Sequence, residues 1–223
     1  MKAVCVADIH GDVGALIKLR NAATMLNPDY FFLLGDYSRG YKDPAENRAD
    51  IKMILDALTG FNVKAIPGNC DQRESVQTFV SRGANLHNTV MMLPGLNIIG
   101  FGGSNATPFA TPFEYSEADI AKSLNDLYDL SDKDAKTIVV AHFPPKDTKC
   151  DVIAGGVHVG SQALRDFIDA KRPELVLCAH IHEAGGLEDN IKKTKILNLG
   201  RLSDGRAYVL DAGDEINVEF FVG

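Results

Sequence analysis

Seven side chains able to bind a metal ion stand just after short apolar runs. Asp8 and His10 follow the run 3–7, Asp36 follows 30–34, Asn69 follows 63–66, His142 follows 137–141, and His180 with His182 follow 175–178. Four of the six histidines belong to this set. Asp8 and His10 form an i, i+2 pair leaving a strand, so both can project to one side and hold one ion. Asp36 has two carboxylate oxygens and can bridge two ions. Asn69 adds a neutral oxygen that limits the negative charge, and the imidazoles suit Mn, Fe, Ni or Zn. Seven ligands of mixed type are too many for one tetrahedral zinc. They suit two ions, roughly 3.5–4 Å apart, that acidify a water and clamp a phosphoryl group during in-line attack.

Side chains spread from position 8 to 182 can meet only if the runs before them are strands whose carboxyl ends share one rim, as in α/β sheets. The rest of the chain has that rhythm. Strands at 3–7, 30–34 and 63–66 alternate with two helices. The first, at 13–25, places Val13, Leu16, Ile17 and Leu19 at helical spacing and stops at Asn27-Pro28; the second, at 44–58, puts Ile51, Ile54, Leu55 and Leu58 on one face. This wiring predicts parallel pairing of the first three strands. Residues 90–93 and 97–101, separated by Pro94-Gly95, read as a hairpin, which makes the sheet mixed. A helix at 116–130, a strand at 137–141, a helix at 161–171, a strand at 175–178 and closing strands near 195–199, 206–210 and 216–222 complete the pattern. No internal repeat or linker divides the chain, so residues 1–223 are expected to form a single layered α/β domain with two sheets.

Taken in order, Asp8-Ile9-His10, Gly35-Asp36-Tyr37-Ser38-Arg39-Gly40, Gly68-Asn69-Cys70-Asp71, Ala141-His142 and Ala179-His180-Ile181-His182 resemble the five blocks of the calcineurin-like metallophosphoesterases. The resemblance implies a four-layer fold, a double mixed β-sheet sandwich flanked by helices, that carries a dinuclear centre. By motif position, Asp8, His10, Asp36 and His182 would hold one ion. Asp36, Asn69, His142 and His180 would hold the other, with Asp36 bridging. The resemblance also implies hydrolysis of phosphate esters by direct attack of a metal-bridging hydroxide, with Asn69 and His142 helping to stabilise the pentavalent phosphorus. The cofactors expected are two divalent metal ions, Mn first, with Fe, Ni, Zn or Mg as alternatives.

Ser38 stands where the second block usually has Asp, and Ala179 where the last usually opens with Gly; neither is a ligand position. Cys70 bears on the chemistry, because many members have a histidine there that is held to protonate the leaving group or steady the transition state. Gly-Asn-Cys-Asp resembles the small prokaryotic phosphodiesterase branch of the family. A thiol with an ordinary pKa of about 8.5 is a poor substitute for imidazolium as an acid. Limited ability to expel a poor leaving group is therefore expected. His158, in the glycine-rich loop 155–160 ahead of a helix, is a candidate catalytic acid or anion contact; an ordinary loop histidine is the alternative. Arg39, Cys70 and Asn105 are candidate substrate contacts. For Arg39 the alternative is a solvated turn residue, and for the Asn105 segment a tight turn at Gly102-Gly103.

Asp plus Glu number 30 against 23 Lys plus Arg, a net charge of −7 on 223 residues. That field disfavours extended nucleic-acid binding and anionic membranes. Two divalent ions would bring −7 to −3, so a small phosphate-ester substrate remains the expected partner. Cys5, Cys70, Cys150 and Cys178 form neither a Cys-x-x-Cys pair nor a dense framework, which argues against a zinc knuckle or a disulfide scaffold. With no signal-length apolar start and no apolar run of about 20 residues, a cytoplasmic location is expected. Nothing in the sequence fixes the oligomeric state. A phosphodiesterase is favoured over a phosphomonoesterase or nucleotide pyrophosphatase. A non-catalytic protein-binding scaffold is the alternative of another class, and retention of all seven ligands speaks against it.

Overall fold

The structure, a computed structural model, describes residues 1–221. In chain order the elements are β1 (Lys2–Val6), α1 (Val13–Ala23), β2 (Tyr30–Leu33), α2 (Pro44–Ala57), β3 (Val63–Ala65), α3 (Ser75–Ser81), β4 (Thr89–Leu93), β5 (Leu96–Phe101), β6 (Ser104–Asn105) and β7 (Glu114–Tyr115). There follow α4 (Glu117–Leu130), β8 (Lys136–Ala141), β9 (Val152–Ile153), β10 (Val157–His158), α5 (Gln162–Lys171), β11 (Leu175–Cys178), β12 (Glu188–Ile191), β13 (Thr194–Asn198), β14 (Tyr208–Ala212) and β15 (Ile216–Phe220).

Two mixed sheets carry the fold. One has the order β15-β14-β1-β2-β3 and the other β12-β13-β11-β8-β5-β4. β1, β2 and β3 pair in parallel, with Ala3 opposite Tyr30 and Phe31 opposite Val63. β5, β8, β11 and β13 also run parallel, while β4, β12, β14 and β15 join as antiparallel neighbours. The expected hairpin at Pro94-Gly95 is the β4–β5 pair.

The strands read as continuous apolar runs because both of their faces are covered. Ala3, Cys5, Phe32 and Leu34 meet Ile98, Ile138, Val140, Leu177 and Leu197 of the other sheet between the layers. Their strand neighbours Val4, Val6, Phe31 and Leu33 pack outward on Leu16, Leu19, Ile51 and Ile54 of α1 and α2. On the far side Ile99, Val139, Val176 and Ile196 pack on Ile120 and Leu124 of α4 and Leu164, Phe167 and Ile168 of α5. The result is the expected four-layer sandwich of helices, two sheets and helices.

Local chemistry fixes the helix starts. The Asp43 carboxylate accepts from the N–H groups of Ala45 and Glu46 with Pro44 at the first turn of α2, and the hydroxyls of Ser116 and Ser161 cap α4 and α5. Such caps contribute about 1 kcal/mol each.

The structure adds elements that sequence periodicity does not reveal: α3, β12 and the two-residue ladders β6–β7 and β9–β10. β12 has the polar sequence Glu-Asp-Asn-Ile and sits at a sheet edge beside β13, where hydrogen bonding rather than apolar alternation defines it. β14 starts at Tyr208 rather than 206, and of the last expected strand, 216–222, Val222 lies outside the described residues. Among the described residues, no helix is long and apolar enough to cross a membrane.

Candidate metal centre

The chain leaves its strands through unusual backbone. Asp8, His10, Asp36 and His180 have φ of 48°, 45°, 55° and 68°, in the left-handed region. Asp and His tolerate that region better than most residues, and here the surroundings hold them in it. The loops after β1 and β2 are laced together by hydrogen bonds from Asp8 N to Gly35 O (3.1 Å), His10 N to Asp36 O (2.9 Å) and Gly11 N to Tyr37 O (2.8 Å). Gly35 and Gly68 let the loops after β2 and β3 touch. A Cβ on Gly35 would fall 2.8 Å from Nδ1 of His142, and one on Gly68 would fall 2.7 Å from Cγ of Asp36.

These loops bring all seven expected ligands to one rim. His10 Nε2 lies 3.3 Å from His182 Nε2 and 3.8 Å from Asp36 Oδ2, and His182 Nε2 lies 3.6 Å from Asp8 Oδ2. On the other side of Asp36, its Oδ1 lies 3.5 Å from His142 Nε2, which is 3.1 Å from Asn69 Oδ1. The His180 ring centre is 5.3 Å from that of His142. Two sets of potential ligand atoms gather within 4.8 Å of one another, Asp8 with His10 and His182, and Asp8 with Asp36 and His142.

The protons are placed to leave lone pairs facing inward. His142 Nδ1 is 2.6 Å from the Leu34 carbonyl and His10 Nδ1 is 3.1 Å from the Ser38 carbonyl. A carbonyl only accepts, so each Nδ1 carries the hydrogen and each Nε2 presents its lone pair. Burial disfavours the charged form of three of the imidazoles. It pushes His180 down to about 3, with His142 adding to the effect, and His182 down to about 4, with His10 adding; His142 is lowered by burial against the pull of Asp36.

Asp8 is raised well above the usual carboxylate range by burial and then by Asp36. For Asp36 burial also works upward, but the imidazoles of His142, His10 and His180 outweigh it and hold the carboxyl low. Asp8 Oδ1 is fully buried and has no hydrogen-bond partner among the described residues. An orphaned buried carboxylate oxygen, grouped with Asp36 and His142 within reach of one ion, is electrostatically unfavourable alone and fits a cation.

A surrounding layer fixes these groups, and sequence reasoning missed it. Asp71, fully buried, accepts from Asp36 N (2.9 Å), Tyr37 N (3.1 Å), Gly68 N (2.7 Å) and Asn47 Nδ2 (3.0 Å), clamping two ligand loops. Burial and then Asp36 push its carboxyl up to about 7, against these donors. Asn47 also donates to the Ser38 hydroxyl at 2.9 Å. Asn69 Nδ2 donates to Thr111 Oγ1 (3.2 Å), which donates to Glu114 Oε1 (2.6 Å), so the Asn69 oxygen is turned to His142. Asn198 Nδ2 donates to the carbonyls of Cys150, Ala179 and Ile181, fixing the turn with His180 and His182. The only sequence signal for any of these is Asp71, the fourth residue of the Gly-Asn-Cys-Asp block.

The remaining expected residues lie around the rim rather than in the cluster. Cys70 N donates to Asp36 Oδ1 at 2.9 Å, and its thiol is pushed far up by burial and then by Asp36. Arg39 is exposed, beside Gly11. Asn105 Nδ2 is engaged by the Val159 carbonyl at 3.1 Å, so this N–H holds two loops together instead of being offered to a substrate. His158 is exposed and bound to Asp151. A cavity of about 750 Å³ opens at the opposite end of the strands, around Met1, Tyr30, Asn62 and Pro94, away from this chemistry.

A family model described as calcineurin-like phosphoesterase matches residues 1–184. An uncharacterized protein of Methanocaldococcus jannaschii is 31% identical over 206 residues, 89% of this chain and 87% of that protein. Among solved structures, a protein of Thermus thermophilus superposes with a TM-score of 0.73 at 21% identity over 98% of both chains. A dimetal phosphatase of Danio rerio superposes with a TM-score of 0.69 at 10% identity, over 99% of this chain and 95% of that one. At these identities the two structures establish likeness of fold.

Proposed function

The chain belongs to the calcineurin-like phosphoesterases, and from that premise we propose that it hydrolyses phosphate esters with two divalent metal ions, phosphodiesters first. The observation that carries the reading is the unpartnered Oδ1 of Asp8, buried beside Asp36 and beside His142, whose charged form burial disfavours. Asp8, His10, Asp36 and His182 would hold one ion, and Asp36, Asn69, His142 and His180 the other. The oxygens of Asp36 face His10 on one side and His142 on the other, which suits a shared ligand. Mixed oxygen and nitrogen donors fit Mn, with Fe, Ni, Zn and Mg as alternatives. When bound, such ions neutralise phosphoryl charge and lower the pKa of water.

The chain's own residues supply position and proton control. His142 is held by its Nδ1 hydrogen bond to Leu34 and Asn69 by its bond to Thr111, so both keep fixed orientations as charge builds on a phosphoryl group. Asp71 keeps the Asp36 and Gly68 backbones in register, and so keeps the two sides of the cluster at one spacing.

The preference for diesters rests on Cys70. Its thiol, raised by burial and by Asp36, is a weak proton donor, and the Gly68-Asn69-Cys70-Asp71 block resembles that of the small phosphodiesterase branch of the family. The test is Mn-dependent hydrolysis of a bis-aryl and a mono-aryl phosphate. Faster turnover of the diester is expected; a monoester preference overturns the diester reading, and no hydrolysis of either overturns the enzymatic one. A chiral phosphorothioate diester should react with inversion at phosphorus, as direct displacement requires.

A further inference from the structure

The residues assigned so far leave the departing oxygen of an ester without a proton donor, since the Cys70 thiol is a poor one and His10 and His142 spend their Nδ1 hydrogens on the carbonyls of Ser38 and Leu34. A different pair stands on a strip that is hydrogen-bonded to the loops after β5 and β8. Asp151 is fully buried. Its carboxylate accepts from Thr148 N (2.9 Å), Asp147 N (3.1 Å) and Gly160 N (2.9 Å), and its Oδ1 lies 2.7 Å from Nδ1 of His158. Its oxygens already accept from three backbone donors, so His158 Nδ1 is the donor in the fourth bond and the ring orientation is fixed. Nε2 has no hydrogen-bond partner among the described residues. The charged groups facing the ring are Asp151 and Asp147, which favour its proton, and Lys146, which opposes it; the net direction is upward, led by the bond to Asp151.

The strip 157–160 is tied to the loops that carry the cluster. The Val159 carbonyl accepts from Asn105, in the loop after β5. Ser161 N donates to the Pro144 carbonyl at 2.9 Å, two residues beyond His142, and a Cβ on Gly160 would fall 2.7 Å from that same oxygen. Asn198 joins the Cys150 carbonyl, next to Asp151, to the Ile181 carbonyl between His180 and His182. A buried carboxylate, an exposed imidazole with one free nitrogen, and a strip pinned to the His142 loop are the parts of a general acid.

We infer that His158, oriented by Asp151, donates the Nε2 proton to the leaving-group oxygen of the phosphate ester. The inference rests on the phosphoester-hydrolase reading above. Water adds to phosphorus, the ester P–O bond breaks with its electron pair on the departing oxygen, and that oxygen takes the Nε2 proton. The attacking water releases one proton to solvent and the neutral imidazole regains one, so the sum for a diester is diester plus water to alcohol plus phosphate monoester. Asp151 is a positioning residue and touches no substrate.

The experiment compares wild type, His158→Ala and Asp151→Asn, each loaded with Mn, on one diester series with nitrophenyl and alkyl leaving groups, with bound metal measured. It is joined to an NMR titration of the His158 ring in metal-free protein. Because His158 is exposed, His158→Ala should keep fold and metal content. The expected result is a loss of about 100-fold or more with the alkyl leaving group and less than about five-fold with nitrophenyl, a range typical of general acids. The basic limb of the pH–rate profile should vanish in His158→Ala. In Asp151→Asn it should shift down together with the His158 pKa read by NMR. If Asp151→Asn fails to fold, the two leaving groups in His158→Ala decide alone. Equal losses on both leaving groups, or no loss on either, overturn the assignment while leaving the phosphoesterase reading intact. A wild type inert on every ester overturns both.

Discussion

Replacing Gly68 by alanine adds one methyl group at the point where the β2 and β3 loops meet. The new Cβ would collide with Oδ1 and the backbone nitrogen of Asp36 and fall 2.7 Å from its Cγ. None of these atoms is a flexible tip. The carboxylate is held by the Cys70 N–H at 2.9 Å, and the Asp36 nitrogen by Asp71 at 2.9 Å. Gly68 itself does not have a positive φ, so the cost is steric: overpacking of this kind costs about 1–3 kcal/mol. For a chain of this length each 1 kcal/mol moves the melting temperature by about 2–4 °C, so a fall of about 2–12 °C is expected in EDTA.

Gly14 is the control. It lies in α1, a Cβ there meets only Asp12 Oδ1 at 3.6 Å, and alanine in a helix is favoured by about 0.5–1 kcal/mol. Gly14→Ala should therefore raise the melting temperature by about 1–4 °C. The two variants should also differ with metal. Mn at 100 times its Kd stabilises a one-site protein by about 2.7 kcal/mol and a two-site protein by about twice that. Gly68→Ala, with Asp36 displaced, should lose most of this rise, and Gly14→Ala should keep all of it. Thermal unfolding by circular dichroism, with EDTA and with Mn, reads both effects. A Gly68→Ala protein that melts and responds to Mn like wild type would refute the reasoning.

Three further outcomes follow from the geometry. Asn198→Ala removes three donated bonds and the acceptor of Gly200 N, leaving buried carbonyls of Cys150, Ala179 and Ile181 short of partners; a loss of about 2–4 kcal/mol is expected in chemical denaturation, together with weaker Mn binding. The Mn-induced rise in melting temperature should grow from pH 5.5 to 7.5. Burial and Asp36 raise the Asp8 carboxyl in the folded metal-free protein, so it holds its proton to higher pH than the unfolded chain does; that contribution to stability falls as pH rises, and the proton competes less with Mn, while His180 at about 3 and His182 at about 4 are already neutral and do not compete. A rise that shrinks with pH contradicts this. Cys70→His should raise turnover of esters with alkyl leaving groups more than of those with aryl ones, in steady-state assays of matched diesters; equal or reduced rates for both contradict the view of the thiol as a weak acid.

Much of the fold is legible in the residues because the runs before the ligands are apolar on both faces, as Ala3, Cys5, Val4 and Val6 show, and only a strand between two layers demands that. The seven expected ligands could be assembled from their placement after such runs. What could not be read depends on chain segments meeting. Asp71 clamps Asp36 and Gly68 from two different loops, and Asn198 reaches three carbonyls across β11 and the segment before β9, contacts with no periodic signature. His87, mute in the sequence, accepts the Gly102 N–H at 2.9 Å and packs among Phe101, Phe113 and Tyr115, steadying the loop that holds Asn69. α3 is seven residues long with few buried positions, too short for its periodicity to stand out.

The two-ion reading of the Asp8, Asp36 and His142 cluster is tested most directly by metal stoichiometry. Wild type and Asp36→Ala, dialysed against Mn and analysed by atomic emission, should hold two ions per chain and at most one, respectively, with the fold of each checked by circular dichroism. One ion or none in wild type, or two in Asp36→Ala, contradicts a centre in which Asp36 serves both sides.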